Sequence, residues 1–222
     1  MEAALEPTDG RKRSPCLASR RYAPMMRTDG TEYTARLARR SGAWWKRLLD
    51  TQAPYRRNLR RLDLGHVLDI GCGIGRNLAN LNGRAVGIDT NPHSVAAARS
   101  RGFVAYTPEE FAGAPEARES AFDSLLFAHV LEHMPRHEAI ALVGAHLPHL
   151  RAGGRVVIIV PQEAGFRSDP THVEFLDVPE VTSVLDANGL EVLRAYSFPF
   201  PRRIGRFFTH NETVVVAERR SG

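Results

Sequence analysis

The chain has 222 residues, of which 43% are hydrophobic and 25% charged, so it is long enough to form one domain with a sizeable core. No apolar run approaches the roughly 20 residues of a membrane-spanning helix, and the N-terminal stretch lacks the apolar centre of a secretory signal. The two cysteines, Cys16 and Cys72, are too few for a disulfide framework. These features predict a cytoplasmic protein without a membrane association.

Positive charge is concentrated at the start of the chain. The net charge is +5, and residues 1–61 hold 15 of the 30 basic residues but 6 of the 25 acidic ones. Residues 1–28 mix proline, glycine, serine and charge without periodicity, which predicts a disordered basic tail. An Arg-rich segment of this kind can contact nucleic acid or an anionic surface, but we favour a solvated helix face that docks on the domain.

Residues 29–62 have the periodicity of amphipathic helices and are predicted to form an N-terminal helical cap. Pro54 interrupts the pattern, so we expect two helices with a break near Asp50–Pro54. Three aromatic residues, Trp44, Trp45 and Tyr55, either roof an active site or pack in the core, and we expect packing for at least two of them.

Residues 63–222 alternate short apolar strands with helical stretches, which predicts an α/β domain with a mainly parallel sheet. The strand-like runs are His66–Ile70, Ala85–Asp89, Phe103–Tyr106, Phe122–Phe127, Arg155–Pro161, Leu190–Ser197 and Thr213–Glu218. The helical runs are Arg76–Asn80, Pro92–Arg101, Arg136–Leu150 and Val178–Asn188, the third ended by Gly153–Gly154. Only the loop Phe198–Asn211 joins the last two strands, so we expect them to be antiparallel.

A glycine-rich turn follows the first strand. Gly71, Gly73 and Gly75 permit positive φ and a close approach of a ligand to the main chain, and the following helix start offers free N–H groups. Asp89 ends the second strand, where a carboxylate can bind two ribose hydroxyls. The spacing is not the G-x-G-x-x-G of dinucleotide sites, and no Gly-Lys-Ser/Thr of a P-loop follows. Asp69 would repel a pyrophosphate but can accept a hydrogen bond from an ammonium group, which favours a nucleoside with an amino-acid tail.

Four stretches together resemble the successive motifs of the class I S-adenosylmethionine-dependent methyltransferases. Within that family the chain is most similar to the small-molecule, type 11-like branch. The four stretches are VLDIGCGIGR, VGIDTNPHSVAAAR, FDSLLFAHVLEHM and LRAGGRVVIIVPQ, which run from Val67 to Gln162. The resemblance implies a Rossmann-like seven-stranded sheet in the order 3-2-1-4-5-7-6, with strand 7 antiparallel. It also implies S-adenosylmethionine as the cofactor.

The resemblance further implies which residues bind the cofactor. Asp69, Gly71 and Gly73 would cradle the methionine end, with Cys72 in the same turn. Asp89, followed by Thr90, would hold the ribose. The loop Thr107–Phe111 would flank the adenine, and His129 would approach the methionine moiety or the sulfonium. These expectations place the whole cofactor along one edge of the sheet.

Methyl transfer is an in-line displacement that needs alignment, and a base only where the acceptor must lose a proton. His133 follows the fourth strand, and His172 lies in a DPTH sequence that resembles methyltransferases acting on sugars or natural products. We therefore expect His172 or His133 to deprotonate or orient a small-molecule acceptor at an oxygen or nitrogen atom, with Asp169 holding His172. The alternative for His133 is that it and Glu132 only fix the following helix.

Other functions remain open at this point. His129, Glu132 and His133 spell the H-x-x-E-H motif of zinc peptidases, but the preceding strand leaves His129 outside a helix, so we do not expect a peptidase zinc site. We assign no metal ligand from the sequence, which leaves open a divalent ion near Asp169 and His172 although no clustered acids require one. A methyltransferase acting on RNA or protein is a second alternative, although the Asn/Asp-Pro-Pro-Tyr/Phe motif of base methylation is lacking. A non-catalytic cofactor-binding protein is a third. The sequence does not indicate an oligomeric state.

Overall fold

A computed structural model describes residues 52–82 and 84–219 of the chain. The predicted tail over residues 1–28, and the part of the predicted cap that contains Trp44 and Trp45, lie outside the described residues. The second predicted cap helix is present as α1, Ala53–Arg61, with Pro54 in its first turn. Proline is tolerated there because the first N–H groups of a helix have no partner within the helix.

Helices alternate with strands through the rest of the described chain. The strands are β1 Val67–Ile70, β2 Ala85–Ile88, β3 Ala105–Tyr106, β4 Phe122–Ala128, β5 Leu150–Pro161, β6 Leu190–Phe198 and β7 Glu212–Arg219. The helices after α1 are α2 Arg76–Asn80, α3 Pro92–Ser100, α4 Pro108–Phe111, α5 Arg136–His146, α6 Glu163–Arg167 and α7 Val178–Ala187. Short 3-10 turns cover Leu131–His133, Leu147–His149 and Arg202–Arg206. None of the described helices has the length and hydrophobicity needed to cross a membrane.

The seven strands form one sheet in the order β3-β2-β1-β4-β5-β7-β6. β1 pairs in parallel with β2 and β4, whereas β7 pairs antiparallel with both β5 and β6. The predicted Rossmann-like order and the antiparallel seventh strand are therefore confirmed. The carboxyl ends of the parallel strands meet at one edge, which is where such sheets bind ligands.

Both faces of the sheet are covered, so its central strands are hydrophobic on both sides. Along β4, Leu125 and Phe127 belong to one buried cluster, whereas Leu126 and Ala128 belong to the other. These four residues are buried, as are all four residues of β1. Burial of one β1 residue, Asp69, is exceptional because it places a carboxylate in an otherwise apolar layer.

The boundary between α5 and β5 differs from the prediction. The predicted helix Arg136–Leu150 ends at His146, and β5 begins at Leu150, so Gly153–Gly154 lie inside the strand and do not end the helix. Gly153 has a φ of 64°, and the pairing of β4 with β5 shifts its register between Phe122 and Ser124. An irregular strand start of this kind needs a residue that tolerates positive φ, which explains why the glycines resemble a helix end.

Helix α1 is fixed to the last two strands. The Tyr55 hydroxyl donates to the carbonyl of His210 over 2.6 Å, and the Tyr55 ring packs edge-on against Phe198. The Tyr196 hydroxyl donates to Oδ1 of Asn58 over 2.9 Å. Tyr55 also lies close enough to Glu212 for that carboxylate, together with burial, to raise the pKa of the phenol. Of the three aromatic residues, Tyr55 is therefore at the edge of the sheet that carries the site.

Candidate active site

The glycine turn after β1 has the backbone geometry that its sequence predicts. Gly71, Gly73 and Gly75 all have positive φ, of 78°, 53° and 80°. The amides of Gly71 and Cys72 donate to the carbonyl of Ile88 over 2.7 and 3.0 Å, which fixes the turn against the end of β2. A Cβ atom at Gly71 would overlap the side chain of Val130. The turn thus lies directly beside the chain that leaves β4.

Asp89 closes the other side of this turn. Its Oδ2 accepts the Gly73 amide over 2.7 Å and its Oδ1 accepts the Asn91 amide over 2.9 Å. Burial raises the pKa of Asp89, whereas these two amide hydrogen bonds lower it. Each carboxylate oxygen has a second lone pair, so the group can still accept hydrogen bonds from vicinal hydroxyls.

Asp69 places a buried carboxylate beside the glycine turn. Its side chain is fully buried, and neither of its oxygens accepts a hydrogen bond from residues 52–82 or 84–219. Burial raises the pKa of Asp69 to about 7, and the neighbouring Asp89 carboxylate adds to this effect. Because an unpaired buried carboxylate is costly, its presence beside the glycine turn fits a ligand that brings a hydrogen-bond donor such as an ammonium group.

Three other predicted cofactor residues lie along the same edge. Cys72 is buried with its sulfur against Gly87, so any cofactor contact would come from its main chain. Thr90 is exposed between Asp89 and Asn91. Thr107 follows β3 and caps α4, its hydroxyl accepting the Glu110 amide over 3.3 Å. Their roles in cofactor binding stay predictions.

His129 stands between two carboxylates at the end of β4. Its Nε2 donates to Oε1 of Glu212 over 2.9 Å, and its Nδ1 lies 3.3 Å from Oε1 of Glu132. Burial opposes protonation, but Glu212 and Glu132 outweigh it and raise the pKa of His129 to about 10. His129 is therefore placed between two carboxylates that favour its protonated form.

His133 and His172 are brought together beyond the ends of β4 and β5. Their rings meet edge to face, with centroids 4.8 Å apart. His133 Nδ1 donates to the carbonyl of Thr171 over 3.2 Å, and His172 Nδ1 donates to the carbonyl of Phe166 over 2.8 Å. Burial lowers the pKa of His133. The two histidines predicted to act on the acceptor therefore do form one cluster.

Asp169 contacts His172 through the main chain, because the His172 amide donates to the Asp169 carbonyl over 3.3 Å. Among the described residues, the predicted hydrogen bond from the Asp169 carboxylate to the His172 ring is not formed. The Asp169 carboxylate instead accepts the amide and the hydroxyl of Thr171, over 3.1 and 2.7 Å, because the loop turns back on itself at that point. The Thr171 hydroxyl lies 3.2 Å from His133 Nδ1, so Asp169 supports His133 through Thr171. These hydrogen bonds lower the pKa of Asp169 despite its partial burial.

The H-x-x-E-H sequence does not form the helix of a zinc peptidase. His129 has a φ of 59° and bonds to Glu212, and Leu131–His133 is a single 3-10 turn. Instead, ligand atoms of Glu132, His133 and His172 all lie within 4.8 Å of one another.

Sequence reasoning missed Glu212 as a site residue. Glu212 is the first residue of β7, and an antiparallel strand begins at the edge where its parallel neighbours end. That rule was available from the sequence, whereas the pairing of Glu212 with His129 was not. The carbonyls of Thr171 and Phe166 orient the two histidine rings. Thr171 belongs to the DPTH sequence but was not predicted to contact His133, and Phe166 was not singled out.

Comparisons with known proteins agree with this architecture. The sequence profile of a methyltransferase domain family matches residues 33–195. Among curated protein sequences none matches the chain. A solved S-adenosylmethionine-dependent methyltransferase from Archaeoglobus fulgidus is 16% identical with a TM-score of 0.59, the match covering 80% of this chain and all of that one.

Two further solved structures share the fold at similar distances. Magnesium protoporphyrin IX methyltransferase from Synechocystis PCC 6803, with bound S-adenosylhomocysteine, is 18% identical with a TM-score of 0.60, covering 87% of this chain and 96% of that one. An S-adenosylmethionine-dependent methyltransferase from Mesorhizobium loti is 16% identical with a TM-score of 0.55, covering 77% and 100%. The buried Asp69, the glycine turn and Asp89 lie at one edge of the sheet, as expected of such a fold. The family match together with this architecture shows that the chain belongs to the class I methyltransferase family, whose methyl donor is S-adenosylmethionine.

Proposed function

We propose that this methyltransferase moves the methyl group of S-adenosylmethionine to an oxygen or nitrogen atom of a small molecule, such as a sugar or a natural product. In the reaction the new bond to the methyl carbon forms as the carbon–sulfur bond breaks, and the electron pair remains on the sulfur of S-adenosylhomocysteine. The acceptor also loses one proton, which a neighbouring base or solvent receives. Alignment of acceptor and methyl group supplies much of the rate.

The proposal rests on the contact between the glycine turn that would bind the cofactor and the histidine cluster that would bind the acceptor. Gly71 of the cofactor turn packs on Val130, which directly follows His129. His129 in turn contacts Glu132, which lies beside the cluster of His133 and His172. A methyl donor in the turn and an acceptor at the histidines would therefore be adjacent.

The surroundings of His172 favour a small organic acceptor. The Phe166 ring stacks on His172 with centroids 5.3 Å apart, and Phe175 packs edge-on against Phe166. Val173, the next residue along the chain, is 45% exposed. Aromatic and aliphatic surface around a few polar groups is typical of small-molecule sites.

A direct test is to incubate the purified protein with S-adenosylmethionine labelled in its methyl group. The acceptors are a panel of sugars, phenols and amines, with tRNA and a protein mixture in separate reactions. We expect label in the small-molecule products. Label found in RNA or in protein and in none of the small molecules would contradict the proposed acceptor class.

Replacement of His172 tests the acceptor side. We expect His172→Asn to lower turnover roughly 100-fold or more, the usual contribution of an acid–base group, because the acceptor loses the group that orients or deprotonates it. Calorimetry should show nearly unchanged affinity for S-adenosylmethionine, since His172 belongs to the loop between α6 and α7 and not to the glycine turn. His137→Asn, on an exposed surface of α5, is the matched control. Equal losses of turnover and cofactor affinity would argue against an acceptor-side role.

A further inference from the structure

Two elements bring metal-binding side chains together beside the acceptor region. Glu132 and His133 are in the 3-10 turn after β4, and His172 is in the loop between α6 and α7. The Val173 amide donates to the carbonyl of Glu132 over 2.7 Å, so the main chain holds the loop against the turn one residue from His172. One ligand atom from each of the three side chains lies within 4.8 Å of the other two.

The hydrogen bonds of the two histidines leave their Nε2 atoms available. A carbonyl oxygen only accepts hydrogen bonds, so Nδ1 of His133 and Nδ1 of His172 must carry protons where they meet the carbonyls of Thr171 and Phe166. In the neutral ring the lone pair is then on Nε2. Histidines that bind metals usually donate their other N–H to a carbonyl or carboxylate in this way.

Glu132 brings a buried carboxylate to the same point. Its side chain is fully buried, and neither oxygen has a hydrogen-bond partner among the residues that the structure describes. The nearest cation is His129, whose Nδ1 is 3.3 Å away and whose Nε2 is already bound to Glu212. Burial of a carboxylate without hydrogen bonds costs free energy of folding unless a cation lies against its oxygens.

We propose that Glu132, His133 and His172 bind one divalent transition-metal ion of the zinc class. Two imidazole nitrogens and one carboxylate oxygen suit Zn²⁺ and its neighbours, whereas Mg²⁺ and Ca²⁺ favour oxygen ligands. Ligand atoms about 2.1 Å from a tetrahedral ion are about 3.4 Å apart, so the side chains approach one another by at most about 1.4 Å on binding. The sequence assigns no metal ligand and leaves open an ion near Asp169 and His172; the proposed site keeps His172 and takes Glu132 and His133 as the other ligands.

Three protein ligands leave at least one position of the ion open. If the proposed methyl transfer is correct, that position faces the acceptor, and the ion would bind an acceptor hydroxyl and lower its pKa. His172 would then orient the acceptor through the ion and would not itself be the base, because its Nε2 lone pair is on the metal. The hydroxyl proton would pass to solvent before the oxygen attacks the methyl carbon. This role rests on the proposed function, whereas metal binding itself does not.

Metal binding is measured on tag-free protein after dialysis against a chelator, because a histidine tag would itself bind the ion. Calorimetry with Zn²⁺ should show one ion per chain, and Co²⁺ should give the visible absorption bands of a bound transition ion. We expect His172→Ala and Glu132→Gln each to weaken binding roughly 100-fold or more, while the control His137→Ala leaves it unchanged. Circular dichroism establishes that each variant is folded.

Three results would overturn the metal site. They are no binding of Zn²⁺ or Co²⁺ to the folded wild-type protein, unchanged binding in the double variant of His172→Ala and Glu132→Gln, and tighter binding of Mg²⁺ than of Zn²⁺. Methyl transfer by the same samples is measured separately. If the protein methylates small molecules but binds no metal, the metal site is rejected and the proposed function stands. If it binds the metal but transfers label only to RNA or protein, the proposed acceptor class is rejected and the metal site stands.

Discussion

At the scale of single residues, the site depends on where carboxylates are buried. Asp69 and Glu132 are both fully buried and lack hydrogen-bond partners within the described part of the chain. Asp69 lies beside the glycine turn, and Glu132 lies beside His133 and His172. Under the two proposals, a positively charged ligand group compensates each carboxylate for its lost solvation, the cofactor ammonium at Asp69 and a metal ion at Glu132.

Replacement of Asp69 by the isosteric Asn should stabilise the ligand-free protein above pH 7. The Asp69 pKa of about 7 in the folded state exceeds the ordinary value of 3.8, so the folded protein holds a proton that the unfolded chain releases. The free energy of unfolding of the wild type therefore falls as the pH rises from about 4 to 7, by at most about 1.4 kcal/mol per pH unit from this group. Asp69→Asn removes that decline.

Denaturant unfolding at pH 5 and pH 8 measures this effect, with the exposed Asp186→Asn as the control. The stability gain of Asp69→Asn should appear at pH 8 and be small at pH 5. The same variant should bind S-adenosylmethionine at least roughly tenfold more weakly, since it loses a charged hydrogen-bond partner for the ammonium group. Unchanged cofactor affinity at pH 8 would remove Asp69 from the methionine end of the site.

At the scale of elements, the turn from β1 into α2 is set by glycine geometry. Gly75 has a φ of 80° and is the residue before α2, and a Cβ atom there would approach the Phe103 ring to 2.7 Å. Gly102 has nearly the same φ, 83°, but a Cβ atom there would meet open space. Comparing an alanine substitution at Gly75 with one at Gly102 therefore separates the cost of backbone strain from the cost of steric overlap.

Gly75→Ala should destabilise the protein more than Gly102→Ala does. Both substitutions carry the left-handed strain of about 1–2 kcal/mol, and Gly75→Ala adds the cost of overpacking, about 1–3 kcal/mol. Urea unfolding of the two variants and the wild type provides the comparison. Equal losses in the two variants would mean that Phe103 yields without cost and that backbone strain alone requires glycine at this turn.

At the scale of the whole molecule, one buried polar residue joins the last three strands. The Asn211 side chain is fully buried, and its amide donates to Gln162 Oε1 and Ser197 Oγ, each over 2.9 Å. Its Oδ1 accepts the Phe200 amide over 2.9 Å. Asn211 thus links the end of β5, the end of β6 and the following loop to the start of β7, where Glu212 lies.

Asn211→Ala should lower the free energy of unfolding by about 1–3 kcal/mol, because Gln162 and the Phe200 amide lose buried hydrogen-bond partners. Thermal and urea unfolding measure the loss, and Ser183→Ala on the exposed face of α7 is the control. A change no larger than that of the control would show that solvent replaces these hydrogen bonds without cost.

The sequence by itself determined the elements and the cofactor edge. The glycine spacing, the acid within β1, the acid after β2 and the loop before the last strand are local patterns, and each corresponds to an observed feature. The local pattern gave a wrong prediction at Gly153–Gly154, which were expected to end a helix. Glycine is favoured by the positive φ found both at helix ends and in irregular strands, so the sequence pattern does not distinguish the two. There the register of β5 against β4 decided the structure.

Only the tertiary structure decided how the charged groups pair. His129 bonds to Glu212, 83 residues later, and His133 bonds to Thr171, 38 residues later. The Asp169 carboxylate bonds to Thr171, two residues later, and only the Asp169 carbonyl bonds to His172. Ring orientation and carboxylate burial depend on the packing of distant elements, which sequence spacing does not encode. For that reason the sequence indicated the cofactor, while the cluster of Glu132, His133 and His172 emerged from the fold.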